Sequence, residues 1–166
     1  YDFSNSITVV IGGIYFSKWF IEDLGASSIL FNFLFLTSSI IIFFTGKMIG
    51  SKIDKQGYEK WIVNSSIINV VSLLLLFVSS QIFKNETLIW ITFPIFLIFL
   101  LAYQVSRICH NTYLKRVIPE NQQSKMSGFG AASNWGGSIF GIIITIPIIT
   151  LSSGNFAREF PFLSAS

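Results

Sequence analysis

Charged residues are scarce in this chain. Asp, Glu, Lys and Arg make up 11% of its 166 residues, whereas soluble domains carry roughly 25%. Hydrophobic residues reach 52%, and 18 residues of the chain are Phe. Because a water-soluble domain needs a polar surface, this composition excludes an ordinary soluble protein.

Cysteine and histidine are almost absent as well. Cys109 is the single cysteine, which excludes an intrachain disulfide. His110 is the single histidine and has no partner cluster of cysteines or carboxylates, so neither a metal ion nor another cofactor is expected. The formal charge is +3, and the basic residues do not gather on one polar face, so no nucleic-acid partner is expected.

Long apolar runs dominate the sequence. A membrane-spanning helix needs about 20 mostly apolar residues to cross about 30 Å of hydrocarbon, and these runs exceed the strands of about ten residues found in membrane barrels. The predicted fold is therefore an all-α, polytopic membrane bundle, in which each helix satisfies its own backbone amides. The five predicted spans cover residues 4–21, 28–49, 61–83, 88–113 and 127–151, and a sixth begins at Pro161.

Basic residues predict the orientation of the bundle. Eight of the eleven lie at one set of span ends and three at the other. The larger set is Lys47, Lys52, Lys55, Lys60, Arg107, Lys115, Arg116 and Lys125; the smaller set is Lys18, Lys84 and Arg158. Since cytoplasmic loops are rich in Lys and Arg, we expect the 2–3 and 4–5 connections in the cytoplasm. Trp19, Trp61 and Trp90 lie at span ends, as in an interfacial aromatic belt.

The charged segment 50–60, GSKIDKQGYEK, separates spans 2 and 3. Gly50 is expected to allow a turn or close packing, and Gly57 a turn with positive φ. Asp54 is expected to cap a helix start. Lys55 and Lys60 are candidates for pairing with acids or lipid phosphates. A generic basic cytoplasmic loop is the alternative interpretation.

Span 4 carries a polar stripe. Tyr103, Arg107, His110 and Asn111 are spaced i, i+4, i+7 and i+8, which places them on one helical face. Because an Arg within a bilayer costs roughly 2.5–3.5 kcal/mol on insertion scales, Arg107 should face protein or a water-filled cavity, or reach the membrane surface. A cavity-facing Arg107 would attract an anionic group or pair with Asp2. Extension of its side chain to lipid headgroups is the alternative.

A histidine, a polar pair at the start of span 1 and a glycine pair in span 5 are further candidate functional residues. His110 is a candidate for proton coupling, because the ordinary pKa of histidine is about 6.5. An interfacial hydrogen-bonding group is the alternative. Asn5 lies three residues after Asp2 at the inner end of span 1, where it would contribute to the mouth of a cavity and Asp2 could cap the helix. Gly137 and Gly141 form a GxxxG pair, which predicts close helix packing, either static or sliding.

These residues resemble the major facilitator superfamily. The signature between its helices 2 and 3, G-x-L-A-D-R-x-G-R-K, is matched at Gly50, Asp54, Lys55 and Gly57, with Lys52 at the Leu position. Tyr58 and Glu59 replace its later basic residues. The opening residues 1–6, YDFSNS, and the run from Asn111 to Gly130 are similar to the "unknown major facilitator" branch, which includes the autophagy-related vacuolar amino-acid permeases of fungi.

The resemblance implies a secondary transporter working by alternating access. It implies that this chain is the N-terminal half, with five helices and the start of a sixth, and that a C-terminal half is missing. Helices 1 and 4 would line the substrate cavity, and segment 50–60 would gate the two halves. The solute would be small and polar, an amino acid being one candidate, and a proton a candidate coupling ion.

Other functions remain open at this point. A membrane scaffold or accessory subunit that transports nothing is one alternative, and a polytopic membrane enzyme is another. An enzyme is not expected, because the convergent acids, nucleophiles or metal ligands that it needs are missing from the sequence. We expect an integral multi-pass protein in the inner membrane of a prokaryote or the vacuolar membrane of a fungus.

Overall fold

The computed structural model describes residues 2–151, and these are helical almost throughout. The helices are α1 (Asp2–Val10), α2 (Phe16–Lys18), α3 (Ser28–Gln56), α4 (Tyr58–Ile82), α5 (Asn85–Val117) and α6 (Glu120–Leu151). Two π-helical stretches, Ile11–Tyr15 and Trp19–Asp23, continue α1 and α2 into one unbroken first helical segment, residues 2–23. The sixth span expected from Pro161 lies outside the described residues.

Three helices are long and apolar enough to cross a membrane by length and composition. They are Ser28–Gln56, Tyr58–Ile82 and Glu86–Leu114, with mean hydropathies of 2.0, 2.1 and 2.2. The predicted first and fifth spans fall on the first helical segment and on α6, which are helical. Their crossing of the membrane stays a prediction.

Segment 50–60 is not the loop that the sequence predicts. Helix α3 runs on to Gln56, and α4 begins at Tyr58, so Gly57 alone separates them. The predicted positive φ at Gly57 is confirmed, at 90°. The prediction for Gly50 is wrong, since it lies inside α3 and a Cβ there would meet only open space. Asp54 caps no helix start, because it lies in the last turn of α3.

Aromatic side chains share the core of the bundle with leucines. Phe16 of α2 and Phe96 of α5 are fully buried, and their rings stack at a centroid distance of 3.4 Å. Phe20 stacks on Phe16 at 5.2 Å, and Phe99 stacks on Phe96 at 5.3 Å. Trp19 joins this core with 4% exposure, so its predicted place in an interfacial belt is wrong. Stacked rings therefore join the first helical segment to α5.

A polar contact joins α3 to α5. Gln104 Nε2 donates to Ser38 Oγ at 3.1 Å, and Ser38 is buried. Ser38 Oγ in turn donates to the Phe35 carbonyl at 2.9 Å within its own helix. Since lipid tails are as apolar as side chains, such interhelical hydrogen bonds and close packing hold membrane helices together.

Helix α6 packs against α1 through its glycines. A Cβ added at Gly137 would overlap the backbone of Phe3, with the carbonyl carbon 2.9 Å away. A Cβ at Gly141 would lie 3.3 Å from the Cα of Ile7. The two positions are one turn apart, so both face the same neighbouring backbone. The missing side chains therefore permit the close approach of α1 and α6.

We expect Gly137→Ala to destabilise the bundle and Gly136→Ala to be tolerated. The added methyl at 137 would push α1 away from α6, at a cost of about 1–3 kcal/mol. At Gly136 the nearest atom is a ring carbon of Phe3 at 3.8 Å, an ordinary contact. Thermal unfolding of both full-length variants in detergent measures the difference, and equal midpoints would contradict the close approach.

Candidate functional site

A polar cavity of about 560 Å³ lies between the first helical segment, α5 and α6. Four of the five predicted cavity residues line it: Asn5, Arg107, His110 and Asn111. Three of these come from one face of α5, as their spacing predicts. Ile118, in the α5–α6 connection, and Gln123, in the first turn of α6, also line the cavity. The cavity therefore extends to the end of the bundle that carries this connection.

Tyr103 is the fifth predicted residue, and it contacts two of the other four. Its hydroxyl accepts a long hydrogen bond of 3.4 Å from Asn5 Nδ2. Its ring lies under the Arg107 guanidinium, with Cζ at 5.8 Å from the ring centroid. A cation over an aromatic face within about 6 Å is attracted to it. Tyr103 thus ties α1 to α5 and helps to orient Arg107.

Helix α6 supplies a polar wall that the sequence reasoning did not assign to the site. Gln123, Ser127 and Asn134 line the cavity, together with Gly130 and Ala131. These positions recur every three or four residues, so they share one face of α6. That spacing was visible in the sequence. The residues around it are themselves polar or small, however, so the face did not stand out.

The charge in the cavity is unbalanced among the described side chains. Of those that line it, Arg107 is the one Lys, Arg, Asp or Glu side chain. The side chain of Asp2, the predicted partner of Arg107, lies outside the described part of the structure. Within residues 2–151, no group of three or more His, Cys, Asp or Glu could hold a metal ion. The cavity thus offers one cation surrounded by amides and hydroxyls.

A second polar cluster joins the α3–α4 turn to the end of α5. Arg116 Nη2 lies 3.2 Å from Asp54 Oδ1, and the Tyr58 hydroxyl donates to the same oxygen at 2.5 Å. The Arg116 guanidinium also lies 4.9 Å from the centre of the Tyr58 ring. The turns that follow α3 and α5 are therefore at the same end of the bundle. We call Asp54, Tyr58 and Arg116 the turn cluster.

The remaining residues of segment 50–60 lie outside this cluster. Lys55 and Lys60 are exposed, and Gly57 provides the break between the helices. Arg116 was not predicted as the partner of Asp54, because 62 residues separate the two in the chain. The rings of Tyr58 and Tyr113 lie 6.3 Å apart beside this pair, as part of the packing of α4 against α5.

Comparison with known proteins identifies a transporter family. The family model described as MFS/sugar transport protein matches residues 3–163. The match takes in the whole cavity and the turn cluster. Searches of the curated proteins and of the solved structures gave no match. The resemblance to the autophagy-related vacuolar permeases is finer than this match, and it stays a prediction.

We expect the Asp54–Arg116 pair to contribute modestly to stability. Both side chains are more than half exposed, at 51% and 58%, and exposed ion pairs contribute about 0.2–1 kcal/mol. A double-mutant cycle with Asp54→Asn and Arg116→Gln in the full-length protein should give a coupling free energy in this range, decreasing in high salt. Glu59→Gln is the matched control, and equal coupling of Arg116 to Glu59 would contradict the pairing.

Proposed function

This chain belongs to the MFS/sugar transport protein family, and from that premise we propose that it binds a small polar solute in the cavity lined by Arg107 and moves it by alternating access. It is an integral, multi-pass membrane protein of the major facilitator kind. In the proposed scheme the described helices form one of two bundles in the full-length protein, and the bundles rock around a site near the midplane. The polar cavity is the observation that carries the proposal.

The cavity suits a solute that carries an anionic group. Arg107 supplies a positive charge, with several donors in a planar fork that matches a carboxylate. The amides of Asn5, Asn111 and Gln123 can donate to the solute or accept from it. An amino acid fits this set, because its carboxylate pairs with Arg107 while its ammonium group bonds to amide oxygens. A neutral sugar would use the amides and leave Arg107 unpaired.

The turn cluster lies where a gate could act. Asp54 and Arg116 join the turn between α3 and α4 to the end of α5, and α5 also carries the cavity residues. Movement of α5 would therefore be transmitted to the turn through this pair. This ion pair contributes little to the stability of the protein, which suits a contact that forms and breaks in each transport cycle. Gly57 supplies the break at which α3 and α4 can change their angle.

Proton coupling is a further part of the proposal, and it concerns His110. Its imidazole lines the same cavity as Arg107, and imidazole changes charge near neutral pH. Protonation would place a second cation in the cavity and strengthen the binding of an anion. Uptake by liposomes with and without an imposed pH gradient tests this step. A gradient effect that survives in His110→Gln would remove His110 from the coupling.

We expect Arg107→Leu to abolish most solute uptake. Hydrogen bonds to a charged group contribute about 1.5–3 kcal/mol, so the half-saturation concentration should rise about ten-fold or more. The measurement uses liposomes holding the full-length protein, supplied with a mixture of radiolabelled amino acids or with neutral labelled sugars. Arg107→Lys keeps the charge without the fork and should retain part of the uptake.

Two controls separate the possible roles of Arg107. Lys84→Leu removes an exposed basic residue at the other end of the bundle and should leave uptake unchanged. Asp2→Asn should reproduce the loss if Arg107 acts by pairing with Asp2, and should not if Arg107 binds the solute itself. Unchanged uptake by Arg107→Leu at normal expression would remove this residue from the site. Equal uptake of neutral sugars would overturn the anionic preference.

A further inference from the structure

A second groove, of about 370 Å³, lies along α4 and α5. Its α5 side is formed by Ile98, Leu101, Ala102 and Val105. At 100° per residue these four positions cluster on the side of α5 opposite to Arg107 and the polar cavity. The groove is therefore separate from the proposed solute site. We call it the lateral groove.

One end of the lateral groove is polar. Lys60 and Asn64 line it from successive turns of α4, and Gln56 lines it from the last turn of α3. The Trp61 indole Nε1 donates to Gln56 Oε1 at 3.1 Å. This bond occupies the amide oxygen and leaves the amide nitrogen of Gln56 as a donor. An ammonium and two amides thus meet at one end, and no acidic side chain is among the described residues that line the groove.

The rest of the lateral groove is apolar. Beyond Ser65 its walls are aliphatic, with Ile68 on α4 and Ile98 and Leu101 on α5. The Ser65 hydroxyl donates to the Trp61 carbonyl at 2.7 Å, so it is satisfied within its own helix. Lys60 and Ile68 are eight residues apart, which is about 12 Å along a helix. The hydrocarbon of one leaflet is about 15 Å deep. With Lys60 at the membrane surface, where segment 50–60 is predicted to lie, the groove would extend through most of one leaflet.

We infer that the lateral groove binds an anionic glycerophospholipid from the leaflet on the Lys60 side. Its phosphate lies at Lys60 and the Gln56 amide nitrogen, since a phosphodiester is an anionic acceptor facing donors only. One acyl chain lies along Ile68 and Ile98. Both helices of the groove are candidate membrane spans, so lipid has direct access to it. Basic pockets between membrane helices are a known form of anionic-lipid site.

The basic end of the lateral groove and its long aliphatic part together favour a lipid over a second copy of the chain. An apolar helix from another copy would fill the aliphatic part and leave Lys60 without a counter-ion. A soluble anion would pair with Lys60 and leave the aliphatic part empty. A lipid with an anionic headgroup satisfies both parts. Bound there, it contacts α3, α4 and α5 on both sides of Gly57 and would stabilise their arrangement.

The test uses the purified full-length protein in a neutral detergent, with phosphatidylglycerol or phosphatidylcholine added at equal concentration. We expect phosphatidylglycerol to raise the unfolding temperature more, and to be retained as discrete bound lipids in native mass spectra. Lys60→Gln should weaken retention of phosphatidylglycerol about five-fold, the effect of one basic residue near an anionic membrane surface. Lys55→Gln removes an equal charge outside the groove and should change little.

A second pair of variants tests the apolar part. Ala102→Phe fills the groove from its buried α5 wall and should reduce retention of both lipids, whereas Val63→Phe enlarges an exposed α4 side chain outside it. Equal retention by Lys60→Gln and the unaltered protein would overturn the headgroup assignment. Unchanged retention in Ala102→Phe would overturn the acyl-chain assignment. A dimer that Ala102→Phe disrupts would assign the groove to a second copy instead. None of these outcomes depends on solute uptake.

Discussion

The absence of water in the hydrocarbon of a membrane is the constraint on which this structure depends. A backbone amide that loses its helical hydrogen bond there has no solvent to replace it. The chain therefore stays helical from Ser28 to Gln56 and, after one residue, from Tyr58 to Ile82. The break falls at Gly57, beside the charged residues and thus at the water-exposed end. Glycine is needed there because its φ of 90° is unfavourable for other residues.

The same constraint decides how the helices associate. Water cannot drive apolar helices together when lipid solvates them equally well. The helices must associate through complementary surfaces and a few polar bonds. Gly137 makes the surfaces of α1 and α6 complementary, since its missing side chain lets the α1 backbone approach α6. Phe16 and Phe96 supply a stacked aromatic contact at 3.4 Å. Gln104 and Ser38 supply a polar bond. Each contact joins a different pair of helical segments.

The sequence predicted those features that depend on residues close together in the chain. Apolar run length located the three helices that are long and apolar enough to cross a membrane, and glycine in a charged segment predicted the positive φ at Gly57. The spacing of Tyr103, Arg107 and His110 predicted one face of α5. The predictions that were wrong or missed concern features that depend on the packing of neighbouring helices. Gly50 looked like a helix end, yet the helix continues because α3 projects beyond the apolar region. Trp19 looked interfacial, yet Phe16 and its neighbours bury it. Arg116 could be matched to Asp54 only once the register of α4 and α5 was known.

Helix α5 separates two environments, and its two faces show this chemically. The face with Arg107 and Asn111 borders a polar cavity, while the opposite face with Ile98 and Val105 borders the lateral groove. Beyond these two faces, the C-terminal end of α5 belongs to the turn cluster, where Arg116 pairs with Asp54. Both Arg116 and Tyr58 donate to Asp54 Oδ1. The family signature has a basic residue at the position of Tyr58. In this chain the Asp54 carboxylate is therefore bound by one hydroxyl group and one guanidinium group. In the proposed gate, opening would therefore break a single exposed ion pair, that of Arg116 with Asp54.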